Sequence, residues 1–504
     1  MSINLDDRAG DDDRMADGEK IVKTQEWRQA WRAARLEERL TNGMVRCHLS
    51  PRQCCIKEGR NGFCGVRGNR GGRLVTMNYG KSVHLTEETI ETEAVNHFAP
   101  GEPILSLGNI GCMLNCVYCH NWKTSQARYV DDRHVYHYTP EQVVETALRH
   151  GIRVLSWTYN DPVVWHEFVC DTAALGRKAG LINLYKSAFF ISPEGVEELL
   201  PHMDIFSISI KSIDPHYYKK YTTGWLEPVL EATKQVLLAG KHVEVSTLMI
   251  TDISDDEGTA AKVADWVLRE LKPTVPLHFV RFHPDYKLRN TTRTSIPRLV
   301  RAREIAIAAG VDQVYLGNVF GSEWTNTYCR GCGTLLVRRF GLNATVEALD
   351  LQGRCLKCKR PSNVRILPER RRRPRVSTLP AGISQFKVFD WHGDIRSLHV
   401  QALNAGQQEG RIFYRRRFTG AQQDTWRFVQ LERGESYRFI VAKSDNNEIG
   451  PEFAVSEGIR VAQHEVFDRA HFPTLAIEEI GEATNDRSPL PFFPGNQVVA
   501  RAQT

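Results

Sequence analysis

No apolar run in the chain approaches the roughly eighteen residues that a membrane-spanning helix needs, so a helical span is excluded from this reading. A large charge imbalance is missing too. The 66 Lys and Arg against 60 Asp and Glu leave a net charge of +6, too mild to demand a nucleic-acid or membrane-surface partner. The first twenty residues carry Asp6, Asp7, Asp11, Asp12 and Asp13 with almost no large apolar side chain, which is the reverse of a signal peptide and predicts a disordered tail over 1–20. Nor are the twelve cysteines spread as a disulfide framework would be. They fall in ligand-like clusters, and a reducing cytoplasm is the expected compartment. At 504 residues there is room for two or three domains with sizeable cores.

The strongest signal is Cys112, Cys116 and Cys119 at C-x3-C-x2-C, following the apolar run 104–107 that reads as a buried strand. Three thiolates on one tight loop can each bind one iron of a [4Fe–4S] cluster, whose usual complement is four cysteines, so one iron stays open. A structural zinc loop is the other reading, but zinc sites usually come as two pairs and no second pair sits close by. Tyr118, the aromatic before the last cysteine, completes a pattern that resembles the radical S-adenosylmethionine (SAM) signature. That resemblance implies SAM chelated to the open iron through its amino and carboxylate groups. One electron enters its sulfonium, a C–S bond breaks and a 5′-deoxyadenosyl radical forms, while the protein orients the reactants and excludes water.

From 104 to 318 apolar strands alternate with amphipathic helices. Strands are predicted at 104–108, 153–159, 182–189, 205–211, 243–250, 276–282 and 314–318, and helices at 140–151, 168–180, 193–200, 226–240, 258–271 and 297–310. Such repetition predicts an α/β fold with a parallel sheet, a barrel or a doubly wound sheet; an open (β/α)6 barrel over 101–320 is the reading adopted. Ligands then gather at the C-terminal strand ends, where the cysteine loop lies. Upstream, 25–40 reads as a helix with Trp27 and Trp31 in its packed face, within an N-terminal segment 21–100. There Cys47, Cys54, Cys55 and Cys64, with His48 and flanking glycines, form a second group that reads as a metal knuckle or as buried thiols. Cys329-x2-Cys332 and Cys355-x2-Cys358, separated by a predicted hairpin at 335–349, have zinc-ribbon spacing over 321–367, with a second iron–sulfur cluster as the alternative. The run Arg370–Arg373 lies in a segment, 368–381, that reads as a basic linker, since no aromatics interleave with it as nucleic-acid binding would require. Short strands from 382 onward predict a small β-sandwich with a loose end and no catalytic constellation.

The chain from about 47 to 360 resembles the AmmeMemoRadiSam-system radical SAM enzymes, relatives of the activases of pyruvate formate-lyase. The resemblance rests on Cys64-Gly65-Val66-Arg67, His97-Phe98-Ala99-Pro100-Gly101, the cysteine loop through Asn121-Trp122, Thr158-Tyr159-Asn160-Asp161-Pro162, Lys211-Ser212 and Arg281-Phe282-His283-Pro284. It implies that Thr158, Asn160 and Asp161 meet the SAM amino group, that Lys211 pairs with its carboxylate, and that Thr247 and His283 are ribose contacts, with Tyr118 beside the cofactor. The alternatives are that Thr247 only caps a strand and that His283 sits satisfied in the core. Four departures stand out. Ser50 replaces a fourth N-terminal cysteine, for which Cys55 or His48 would have to substitute; Ser209 replaces an acid; Asp161 replaces a Glu; and Ser187-Ala188 replaces Asn-Gly. The resemblance further implies a low-potential electron donor such as flavodoxin or ferredoxin. The substrate is a protein or peptide, or a small-molecule biosynthetic intermediate. A non-catalytic zinc module contacting nucleic acid or a protein partner is the competing reading.

Overall fold

The computed structural model describes residues 25–319 and 323–367 and, beyond them, 375–377, 383, 385–391, 395–419, 426–431, 433–434, 436–442, 448–467 and 478–480. The tail predicted over 1–20 lies outside the described residues.

The centre is one eight-stranded sheet in strict sequence order: β1 (His84–Thr89), β2 (Pro103–Gly108), β3 (Val154–Thr158), β4 (Ile182–Ser187), β5 (Ile205–Ser209), β6 (His242–Met249), β7 (Leu277–Arg281) and β8 (Val314–Gly317). β1 is antiparallel to β2, and every later neighbour pair is parallel. Six strand–helix repeats followed by a seventh parallel strand make the open (β/α)6 barrel expected. The crossover helices begin where the caps and prolines predict. Thr139 and Gln142 form a reciprocal capping box ahead of Pro140–Arg149, Ser192 caps Pro193–Leu199, and Asp256 caps Glu257–Glu270. Among the described residues no helix is long and apolar enough to cross a membrane.

Register sorts the strand residues into two faces. Leu155, Trp157, Tyr185, Phe206, Ile208, Val245 and Phe279 share one large core with the helix residues Phe168, Val229 and Val263. On the other face the strand starts Ile104, Val154, Leu184 and Ile205 are apolar and close over Ile90, Val95 and Phe98. Further along the same face come Ser106, Ser156, Thr158, Lys186, Ser207, Ser209 and Ser246, a polar lining unusual for a parallel strand. The barrel therefore has an apolar floor and a hydroxyl-rich interior above it.

The floor is held by a buried carboxylate. Glu244 accepts from the backbone N–H of Asn96 at 3.0 and 2.9 Å and of His97 at 2.7 Å, and its oxygens are bonded to His242 Nε2 at 2.9 Å and His278 Nε2 at 2.8 Å. His97 in turn meets the Tyr315 hydroxyl at 2.7 Å. The four-cysteine ribbon docks beneath. Ala99 N–H donates to Arg365 O and Arg365 N–H donates to His97 O, both at 2.8 Å, and buried Arg339 donates to the carbonyls of Asn96 and Thr325. The ribbon hairpin is Leu335–Phe340 and Asn343–Val346, inside the predicted 335–349.

The stretch 25–40 is not a helix. A single 3₁₀ turn, Glu26–Arg28, gives way to strands Arg32–Ala33 and Glu37–Arg39, paired respectively with Arg73–Thr76 and Val45–Cys47. The Asp132 carboxylate accepts the N–H groups of Glu26 and Trp27 at 2.9 Å each, and Leu36 adopts φ +56°, so tertiary partners override helical propensity. Trp27 is buried, but Trp31 is 49 % exposed and is no part of the core. The linker reading needs a correction as well. Arg375–Ser377 is an edge strand paired with residues 426–428, and the rest of 368–381 lies outside the described residues. Two antiparallel sheets follow, one of five strands and one of four, closing over Leu398, Val400, Ile412, Val429, Phe453 and Val461, which is the sandwich expected.

Burial holds His97 neutral and pushes its pKa from 6.5 down to about 3. The unfolded chain binds more protons between those values, so this residue's contribution is complete above pH 6.5 and is lost as pH falls towards 3. Thermal unfolding at about pH 5 against about pH 7.5 is expected to show a loss on the order of 2 kcal/mol from this group, reduced in His97→Gln.

Candidate active site

The loop carrying Cys112, Cys116 and Cys119 leaves the end of β2 and is fastened at both flanks. Gly111 has φ +91°, and a Cβ there would stand 2.9 Å from the Cys64 carbonyl oxygen, so only glycine lets the loop lie against the N-terminal segment. The N–H of Gly111 donates to Thr124 O at 3.0 Å, and the N–H groups of Asn115 and Val117 donate at 3.0 Å to the carbonyls of Thr222 and Tyr221. Those two carbonyls end a π-helical turn, Tyr218–Thr222, where the last carbonyls have no donor within the helix and can accept from the loop. Cys119 N–H bonds Cys116 O at 3.2 Å, and Cys119 Sγ lies 3.4 Å from Ser125 Oγ. Tyr118 is buried with Tyr217, Ile250 and Phe282, forming the loop's apolar root.

Burial raises the pKa of all three thiols, Cys116 to about 12, and the charge of Lys211 opposes that rise at Cys116 and Cys119. Lys211 lies just beyond β5, its own N–H donating to the Tyr218 hydroxyl at 3.0 Å, and its charge also acts on Asp161. It is a cation placed beside Cys116 and Cys119, while Arg52 approaches the other side of the loop at Met113. Three thiols converging with a lysine at the C-terminal ends of parallel strands can hold a [4Fe–4S] cluster by three irons and place a positive charge beside its ligand.

The other expected contacts divide. Thr158 Oγ1 donates to buried Glu93 at 2.7 Å. Asn160 donates to the Asn109 carbonyl and accepts from Thr124 Oγ1 at 2.9 Å. Asp161 accepts from Ser187 Oγ at 2.7 Å, Ala188 N–H at 2.9 Å and Val163 N–H at 3.2 Å. Asn160 and Asp161 thus brace the end of β3 against the cysteine loop and the end of β4, while Thr158 ties β3 to the segment Ile90–Glu93. Two of the sequence departures turn out to be one feature, because the shortened acid at 161 is met by the hydroxyl at 187. Between them Tyr159 adopts φ +68°, strained for a bulky residue, which aims its carbonyl at the side-chain amide of Asn121 in the loop.

His283 is exposed at the rim, its carbonyl bonded to His120 Nε2 at 2.8 Å and its ring 5.6 Å edge-on from that of His120. It is not a core histidine. Thr247 is not brought into the group. It pairs with Phe279 and shares the helix-facing side with Val245 and Met249, whereas its neighbour Ser246 faces inward. Sequence reasoning missed that inward set. Lys186 Nζ donates to Ser207 Oγ at 3.0 Å and Ser246 Oγ at 3.3 Å, and Ser209 and Ser246 are 3.1 Å apart. Strand alternation was the available signal, but it does not say which face is covered by helices.

Far from this rim, the sulfurs of Cys329, Cys332, Cys355 and Cys358 all lie within 4.8 Å of one another, with Cys329–Cys358 at 3.4 Å and Cys332–Cys355 at 3.7 Å. The donor set fits one tetrahedral metal ion.

The profile of the radical SAM superfamily matches residues 109–266. An uncharacterized protein of Methanocaldococcus jannaschii is 40 % identical over 329 residues, covering 65 % of this chain and 97 % of that protein. The chain belongs to the radical SAM superfamily. Among its relatives are the (2S)-3-sulfopropanediol dehydratase activating enzyme of Klebsiella oxytoca, 25 % identical over 22 % of this chain and 35 % of that enzyme. The pyruvate formate-lyase-activating enzyme of Clostridium pasteurianum is 22 % identical over 36 % of this chain and 80 % of that enzyme.

Asp161→Leu strands the three donors that the carboxylate satisfies, and is expected to cost roughly 3 kcal/mol in thermal or denaturant unfolding. A change below about 0.5 kcal/mol would show that the carboxylate faces a ligand instead.

Proposed function

We propose that this protein reductively cleaves SAM and uses the resulting radical to take a hydrogen atom from a substrate. The observation that carries this is the convergence of the three loop thiols with Lys211 at the strand ends. Cys112, Cys116 and Cys119 would hold a [4Fe–4S] cluster there, and such a cluster would supply the single electron needed to cleave the sulfonium C–S bond of SAM to methionine and a 5′-deoxyadenosyl radical. Lys211 pairs with the SAM carboxylate, His283 lines the adenosyl side of the rim, and Asn160 and Asp161 fix the flanks of the loop that bears the cluster. A low-potential donor such as flavodoxin or ferredoxin would provide the electron, in a reducing cytoplasm.

The inward hydroxyls and Lys186 favour a small polar substrate with an anionic group. A protein or peptide is the second reading, and its support is that the relatives are named as activators of enzymes. In the ribbon we assign zinc. Sulfurs on a tetrahedron with Zn–S about 2.3 Å lie about 3.8 Å apart, close to the spacings above. Its docking under the barrel floor suits a structural role.

Anaerobic reconstitution with iron and sulfide, followed by SAM and dithionite, is expected to yield 5′-deoxyadenosine. None should form in the combined Cys112→Ala, Cys116→Ala, Cys119→Ala variant, and product from that variant sinks the reading. Lys211→Met should keep its iron but bind SAM about 10- to 100-fold more weakly, the worth of one charged hydrogen bond. Metal analysis should give about one zinc per chain, lost in Cys355→Ser.

A further inference from the structure

The N-terminal cysteines remain outside this site, yet three of them meet. Cys47, Cys54 and Cys64 line one cavity with Ser50, Arg52 and Arg67. Cys55 and His48 do not. Cys55 is exposed with its sulfur 3.4 Å from Arg46 Nε, and His48 Nε2 is bonded to Glu38 at 2.8 Å. The residue that takes the missing cysteine's place, Ser50, therefore stands at the cavity where its two candidate substitutes are absent.

Fully buried Arg67 donates Nε–H to Cys47 Sγ at 3.2 Å. A neutral thiol is a weak acceptor, so a buried guanidinium N–H aimed at this sulfur fits a thiolate bound to metal. The Arg67 charge is already balanced by Glu167, bonded at 2.8 and 3.0 Å. Arg52 is different. It stacks on Phe63 at 3.6 Å, donates to Met113 O at 2.8 Å, and the groups whose charge acts on it are Cys54, Cys112 and Cys64.

The spacing selects the kind of centre. Among the described residues the ribbon cysteines are the group whose ligand atoms all fall within 4.8 Å. The three cavity thiols are set wider, as are Cys112, Cys116 and Cys119, and one zinc ion needs sulfurs about 3.8 Å apart. We propose that Cys47, Cys54 and Cys64 ligate a second iron–sulfur cluster, with Ser50 Oγ at the fourth position, abutting the loop that binds the first. Contact between the two loops is direct. Gly111 lies against the Cys64 carbonyl, and Met113 of the cluster loop also lines the cavity.

Iron, sulfide and zinc are counted on the full chain after anaerobic reconstitution, with electron paramagnetic resonance of the dithionite-reduced protein. About eight irons per chain are expected, falling to about four in the Cys112→Ala, Cys116→Ala, Cys119→Ala variant and, separately, in Cys47→Ala, Cys54→Ala, Cys64→Ala. The first of those variants makes the outcome independent of whether SAM is cleaved. Ribbon zinc and the unfolding midpoint report whether each variant is folded. If the N-terminal variant does not fold, Ser50→Cys decides, since a thiolate in place of the hydroxyl should shift the second signal and slow iron loss to a chelator. About four irons in the wild type, a second zinc in place of iron, or a Ser50→Cys spectrum identical to wild type would each overturn the proposal.

Discussion

The carboxylate of Glu244 is the constraint from which the barrel's two ends follow. Buried in the inward face of β6, it collects two backbone N–H groups from the segment beneath and one ring nitrogen from each of two histidines. A buried charge is tolerated only when so surrounded, and its hydrogen bonds drive its pKa well below the carboxylate norm against the cost of desolvation. Because the plug at 90–99 is tied here, the strand starts are sealed with apolar side chains. Polar interior can then begin one layer higher without water entering from below.

The rim differs. At the floor the Glu244 carboxylate and its donors serve stability; at the strand ends a few polar groups do so. Thr158, Asn160 and Asp161 direct their hydrogen bonds to protein partners, and that of Asn160 to Thr124 helps hold the cysteine loop in place. Lys211 and His283 face the loop without that duty. The exchange of a longer acid for Asp161 together with Ser187 preserves the brace, so these departures alter how the wall is built more than what it can hold.

The six strand–helix repeats were legible in the sequence because caps, prolines and apolar periods agree there: Thr139, Ser192 and Asp256 each cap a helix where expected. The cysteine loop was legible from its spacing, whereas Lys211 was pointed to only by the family resemblance. What failed did so where local pattern competed with distant partners. Residues 25–40 have helical periodicity, but Asp132 and Glu167, more than a hundred residues away, take their N–H groups. Thr247 and Ser246 are adjacent, and only the register with β7 reveals which one looks inward. The inward hydroxyl lining was invisible for the same reason. The pairing of Asp161 with Ser187 needed the strand ends to be side by side.

Arg67 has a consequence for the order in which the molecule can be completed. Its guanidinium is satisfied by Glu167 and by the Arg35 carbonyl, at separations of 100 and 32 residues. A chain emerging from the ribosome therefore presents Cys47, Cys54 and Cys64 long before the helix that secures them exists. Until His166–Lys178 has been made and docked, the Arg67 guanidinium beside Cys47 lacks its carboxylate partner, although Asp132 can already hold Glu26 and Trp27. The ion pair that fixes the cysteine-bearing segment is thus a long-range contact, made between residues 100 apart in the chain.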